Sequence, residues 1–231
     1  MLCRNKMFFL LFCFASVASS AQDDIRHAYE NIWDMSKEEI KKTFDLDRPE
    51  VSEFLLRKMN TYPQKGGIKR NNGAILKANP RKGIEWLLKI HKRLLPIGRA
   101  SMALSLRRID CVESYEILFR LLDDKKVVVI NKNAGLAPIC PGKSYLHLRV
   151  CDCAYNSLLY LLKEKNKVPL NNLPLRFMWY DESIEFRDRA IKGLLDWKKK
   201  ELKQFLRKKK SIVSAPLKEE IKKIGDVISN R

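Results

Sequence analysis

Between Asn79 and Asp124 the apolar residues recur at intervals of three and four, and prolines or short polar turns cut the recurrence into pieces of helical length. This spacing puts every apolar side chain of a piece on one face of an α-helix, which must then bury that face against another element. Asn79-Pro80 reads as a cap followed by proline at the first helical position. Ile84, Leu87, Leu88, His91, Leu94 and Leu95 follow on one face, and Pro96 ends the run. A second helix is expected from Ile97 to Ile109 through Ala100, Met102, Ala103, Leu104 and Leu106. After the turn Asp110-Cys111, a third runs from Val112 to Leu122 through Tyr115, Leu118 and Phe119. The expected fold class is mainly α, with antiparallel helix pairs stacked as a solenoid or an irregular helical bundle.

The flanking regions extend the pattern. Ser36-Lys37-Glu38-Glu39 is a capping box that opens a short helix, and Asp47-Arg48-Pro49 opens another carrying Val51, Phe54, Leu55 and Met59. Residues 61–79 are rich in Gly, Asn and Lys and lack a period, so they read as a surface loop or linker. A long helix is expected from Ser183 to Lys209, striped by Phe186, Ala190, Leu194, Trp197, Leu202, Phe205 and Leu206. Pro216 breaks it, and a final helix from Leu217 to Ile228 carries Ile221, Ile224 and Val227. The resulting organisation is N-terminal helices and linker over 22–78, a helical domain over 79–210, and a C-terminal helix within 211–231.

The stretch IGRASMALSLRRIDCVESYEILFRLLDD, residues 97–124, resembles a HEAT-type repeat junction. An inner helix with small residues, Ala100 and Ala103, meets a short turn and an outer helix ending in Leu121-Leu122-Asp123-Asp124. LRVCDCAYNSLLYLL, 148–162, is similar to the inner helix that should follow, and FRDRAIKGLL, 186–195, to a third. The resemblance implies that each helix pair buries too little surface alone and stacks on its neighbours, leaving the inner helices to form a concave binding face. The segment 125–147 departs from it by intruding where a short turn belongs. Val127 to Ile130 suits a short strand, and the remainder reads as a long loop of the kind that often carries function.

Residues 1–21 read as a secretory signal peptide: Arg4 and Lys6, then the uncharged run from Met7 to Val17, then Ser19-Ser20-Ala21 before a cleavage point. The expected destination is periplasmic or extracellular. Cys3 and Cys13 leave with the leader, so Cys111, Cys140, Cys151 and Cys153 remain. An even count in an exported chain favours disulfides, with Cys140 bonded to Cys151 or Cys153 the preferred class. Free buried thiols are one alternative. A zinc site on Cys140, His147, Cys151 and Cys153 is another, although its spacing matches no finger.

Catalytic chemistry has little footing. Ala137 to Ser144 matches a relaxed phosphate-binding loop, but Pro138 and Pro141 remove two of the amide donors that would cradle phosphate. The three histidines, His27, His91 and His147, sit in no hydrolase or zinc-protease pattern. No cofactor is expected.

Charge is the strongest remaining signal, with 46 Lys+Arg against 27 Asp+Glu giving +19. Lys198, Lys199, Lys200, Lys203, Arg207, Lys208, Lys209 and Lys210 crowd one stretch against Glu201 alone. Interleaved with Trp197, Leu202, Phe205 and Leu206, that stretch suits an anionic membrane surface or a polysaccharide, or else a solvated face over a packed stripe. Aromatics are not set around a basic groove, which argues against nucleic acid. The expected function is therefore a non-catalytic scaffold for another protein, with Lys143, Arg149, Lys199, Lys203, Arg207 and Lys208 as candidate contacts. The alternative is electrostatic binding of anionic lipid or polysaccharide.

Overall fold

The computed structural model describes residues 22–61, 68–128, 148–170 and 183–229. The leader, the phosphate-loop-like stretch, Cys140, Lys143 and His147 lie outside the described residues. Helix α1 (22–30) and a 3-10 turn (Ile32–Asp34) lead into α2 (Lys37–Thr43). The expected capping box is formed: the Ser36 hydroxyl accepts from the Glu39 N–H at 3.2 Å, and Glu39 accepts from the Ser36 N–H at 2.6 Å. Then come α3 (Pro49–Asn60), α4 (Ile68–Ala78), α5 (Pro80–Ile90), α6 (Pro96–Leu106) and α7 (Val112–Leu121). Pro49, Pro80 and Pro96 each occupy the first turn, where the missing N–H costs nothing. Two short strands, β1 (Val127–Val128) and β2 (Leu148–Arg149), pair antiparallel.

Helix α8 (Val150–Leu159) runs on through a π turn (Tyr160–Lys165). The long C-terminal helix is α9 (Ile184–Trp197), a π turn (Lys198–Leu202) and α10 (Lys203–Leu206), followed by α11 (Ala215–Ser229). The mainly helical class expected from the period is what forms. Buried apolar residues make one cluster from Ile25 to Ile224, so the described elements share a core.

Two expectations are corrected. Residues 68–78 are helix rather than loop. Asparagine is a poor helix former in isolation, but here Asn71 donates to the Tyr29 carbonyl at 2.8 Å and accepts from the Trp33 indole at 3.0 Å. Asn72 accepts from the Tyr29 hydroxyl at 2.9 Å. Those bonds, with Ile75, Leu76 and Ala78 buried beneath them, hold the segment on α1 and α2.

The second correction concerns the inner helices. The small residues of α6 (Gly98, Ala100, Ser101, Ala103, Ser105) are buried on both sides of the helix, and α6 packs against α3, α4, α7 and α8. Nearly every residue of α8 is buried as well. Small side chains let neighbouring backbones approach closely, and here they place α6 at the centre of a bundle. The helices expected to line an open concave face are covered.

Candidate functional site

A groove of about 860 Å³ lies between residues 166–170 and one face of α9, the second π turn and α10. Its floor is Val168, Leu170, Trp197 and Phe205, and its rim carries Lys167, Lys200, Lys208 and Lys209. Asp196 and Glu201 are its acids.

Local chemistry builds both walls. The first π turn ends at Asn166, whose amide donates to the Leu161 carbonyl at 2.6 Å and to the Tyr115 hydroxyl at 2.9 Å. Lys167 then takes φ 54°, a left-handed conformation uncommon for a residue with a Cβ, and this turns the chain away from α8. On the other wall Trp197 stacks on Phe119 with ring centroids 6.4 Å apart, and Phe205 meets Tyr115 edge-on at 5.1 Å. Lys209 donates to Asp110 at 2.8 Å and also to the Asn166 side chain, so its charge is used inside the protein. Burial pushes the Asp110 carboxyl up, but the hydrogen bonds from Lys209 and Tyr115 outweigh it and hold the group below its ordinary value. By contrast, no acid of the described residues pairs with Lys167, Lys200 or Lys208.

Among the described residues singled out as candidate contacts, Lys208 alone lines the groove. Lys203 and Arg207 are exposed outside it, and Lys199 pairs with Asp196 at 3.2 Å. Arg149 is corrected: it is buried, with its guanidinium 3.0 Å from Asp152 and 2.7 Å from Asp188. Arg187 reaches the same fully buried Asp152 at 2.5 Å. This network ties β2 and α8 to α9 and leaves Arg149 no face toward a partner.

The stripe of the basic helix is also accounted for. Leu194 and Leu202 are buried, and Trp197 and Phe205 pack on α7 aromatics, so most of this apolar face is used within the protein. No described helix is long and apolar enough to cross a membrane.

The preferred bridges both run through Cys140, which lies outside the described residues. Cys111, Cys151 and Cys153 are all buried, and no two of them are bonded to each other. Burial pushes the Cys111 thiol up to about 11 and the Cys151 thiol up to about 12. The described residues hold no cluster of His, Cys, Asp and Glu suited to a metal. His91 is buried with Nδ1 2.6 Å from the Leu88 carbonyl, a packing role.

No family model matches this chain, and neither curated proteins nor solved structures include a match. Sequence reasoning named Lys200, Trp197 and Phe205 only as parts of the basic amphipathic stretch, and it passed over Lys167. The signal available was the base run 198–210, which contains the one wall but not the other.

Proposed function

We propose that the protein is an exported, non-catalytic binding module, built on HEAT-like antiparallel helix pairs, that holds another protein. Export rests on the leader-like residues 1–21. The observation that carries the binding role is the groove. Its volume of about 860 Å³ lies within the range of roughly 300–1,000 Å³ usual for ligand sites. Its rim presents Lys200 and Lys208, exposed and without an internal acid to neutralise them. Charges left uncompensated beside an apolar floor favour a partner that supplies both.

The test is parallel affinity capture from native extract by the mature chain and by its Lys200→Glu/Lys208→Glu variant, washed to physiological salt. A defined protein held by the first and lost by the second is the expected result. If the retained material is the same for both, the groove is not the binding surface.

A second reading keeps the electrostatic role. Lys203, Arg207 and Lys210 are exposed outside the groove and could meet an anionic polysaccharide or lipid surface. Release of only polyanion or lipid by modest salt would favour it, because screening weakens exposed charge contacts.

A further inference from the structure

We infer that the groove takes an extended acidic peptide segment of the partner, with an aromatic or aliphatic side chain seated on the floor. The inference rests on the binding-module reading and adds the chemistry of the occupant.

Charge sets the first requirement. Lys167, Lys200 and Lys208 have no acid partner, whereas Lys209 is spent on Asp110 and Asp196 on Lys199. Glu201 offsets one of the three, so the rim keeps an excess of positive charge. The whole chain, at +19, attracts an anionic segment to the protein. Shape sets the second. Trp197 and Phe205 are half-buried and line the groove, Trp197 stacked face-on against Phe119 and Phe205 held edge-to-face by Tyr115. Rigid aromatic surface of this kind receives an apolar anchor at low entropic cost.

The backbone of the 166–170 wall favours a peptide over a lipid headgroup or free phosphate. The Lys167 N–H donates to the Lys163 carbonyl at 3.2 Å and the Val168 N–H to the Leu162 carbonyl at 2.9 Å. Pro169 has no N–H. Three successive wall positions therefore offer no amide donor to a phosphate, whose binding sites are built from such donors. Their carbonyls accept no hydrogen bond from the described residues. A peptide brings the matching donors in its own N–H groups, and its carboxylates meet the lysines across the groove.

The probe is a fluorescein-labelled octapeptide of alternating Glu and Phe, titrated by anisotropy at physiological salt against the full mature chain. The comparison peptide has Gln for Glu. Two variants carry the same charge change on the same helix: Lys200→Glu/Lys208→Glu on the rim and Lys203→Glu/Arg207→Glu outside it. Circular dichroism and thermal unfolding verify that both keep the wild-type fold.

We expect the rim variant to lose about tenfold or more in affinity, the outer variant to change less than about twofold, and the Gln peptide to bind as poorly as the rim variant. Equal losses in both variants would overturn the inference, since the peptide would then be reading diffuse charge. It would equally fall if the Glu-Phe peptide did not bind while vesicles rich in anionic lipid did. Competition separates this inference from the broader reading. If a captured protein depends on Lys200 and Lys208 but the peptide cannot displace it, the module stands and the acidic-segment inference does not.

Discussion

Glu113 offers the sharpest test of how the C-terminal part of the chain is held. Its residue is fully buried in α7, and its carboxylate takes donors from the link into α11. These are the Ser211 hydroxyl at 2.5 Å, the Ile212 N–H at 3.1 Å and the Val213 N–H at 3.4 Å. Glu113→Gln keeps the shape but removes the charge and turns one acceptor into a donor. A hydrogen bond to a charged group contributes about 1.5–3 kcal/mol, against about 0.5–1.5 for a neutral one. Downgrading three bonds by about 1 kcal/mol each gives an upper figure near 3 kcal/mol. The donors are only half-buried and the longest bond is weak, so about 2 kcal/mol is the working value. For a chain of this size that is about 4–8 °C in Tm.

The pH dependence has a definite sign. Burial raises the Glu113 carboxyl, but the bonds from Ser211 and the 212 amide outweigh it and hold the group below its ordinary value. A depressed folded pKa contributes stability that is fully present above the unfolded value, near 4.3, and lost as pH falls toward the folded one. The deficit of the Gln variant should therefore be full at pH 7 and shrink below about pH 4. Urea unfolding at both pH values, with hydrogen exchange at the Ile212 and Val213 amides, measures it. A Gln variant within about 0.5 kcal/mol of wild type at pH 7, its 212 and 213 amides still protected, would refute the reasoning.

Other predictions concern the core. Gly98→Ala should destabilise by about 1–3 kcal/mol, against the usual sign for glycine in a helix, because its Cβ would lie 2.1 Å from Asn60 Oδ1. Asn60 accepts from the Leu95 N–H at 2.9 Å and donates to the Arg93 carbonyl at 3.1 Å, so the cost should fall in an Asn60→Ala background, read by a double-mutant cycle. Asp152→Asn removes the buried carboxylate that Arg149 and Arg187 share, leaves Arg149 with Asp188, and should cost about 3 kcal/mol in urea unfolding; a loss under about 1 kcal/mol would contradict the network. Cys111 and Cys151, with thiols raised to about 11 and about 12, should resist iodoacetamide at pH 8 until the chain unfolds, as followed by intact mass. Alkylation at wild-type stability would disprove their burial.

What could be read in advance followed rules that act within a few residues. Pro49, Pro80 and Pro96 mark their helix starts, and Ser36 with Glu39 marks another, because a cap is decided locally. Helix α4 escaped because what offsets the poor propensity of Asn71 and Asn72 is Tyr29 and Trp33, about forty residues away. The small residues of α6 announced close packing but not how many neighbours would share it. The groove was half visible. The 198–210 base run could be seen, but Lys167 joins it only through the turn after Asn166, and which lysines would be neutralised depended on partners such as Asp110.

The second π turn has a consequence for chain length. The stripe of the long helix advances from Leu194 to Trp197 by three, then from Trp197 to Leu202 by five, where an α-helix would step by three or four. A π turn closes its hydrogen bonds one residue later than an α turn, so Lys198–Leu202 absorbs one residue more than the stripe requires. Leu202 and Phe205 reach the core in phase with Leu194 despite it. Deleting one of Lys198, Lys199 or Lys200 would convert the turn to regular α-helix and leave the apolar anchors seated. A one-residue deletion at this point therefore changes how many lysines the helix displays without repacking its core. At this point of the helix the chain can shorten by one residue, and with it change its charge, at little structural cost.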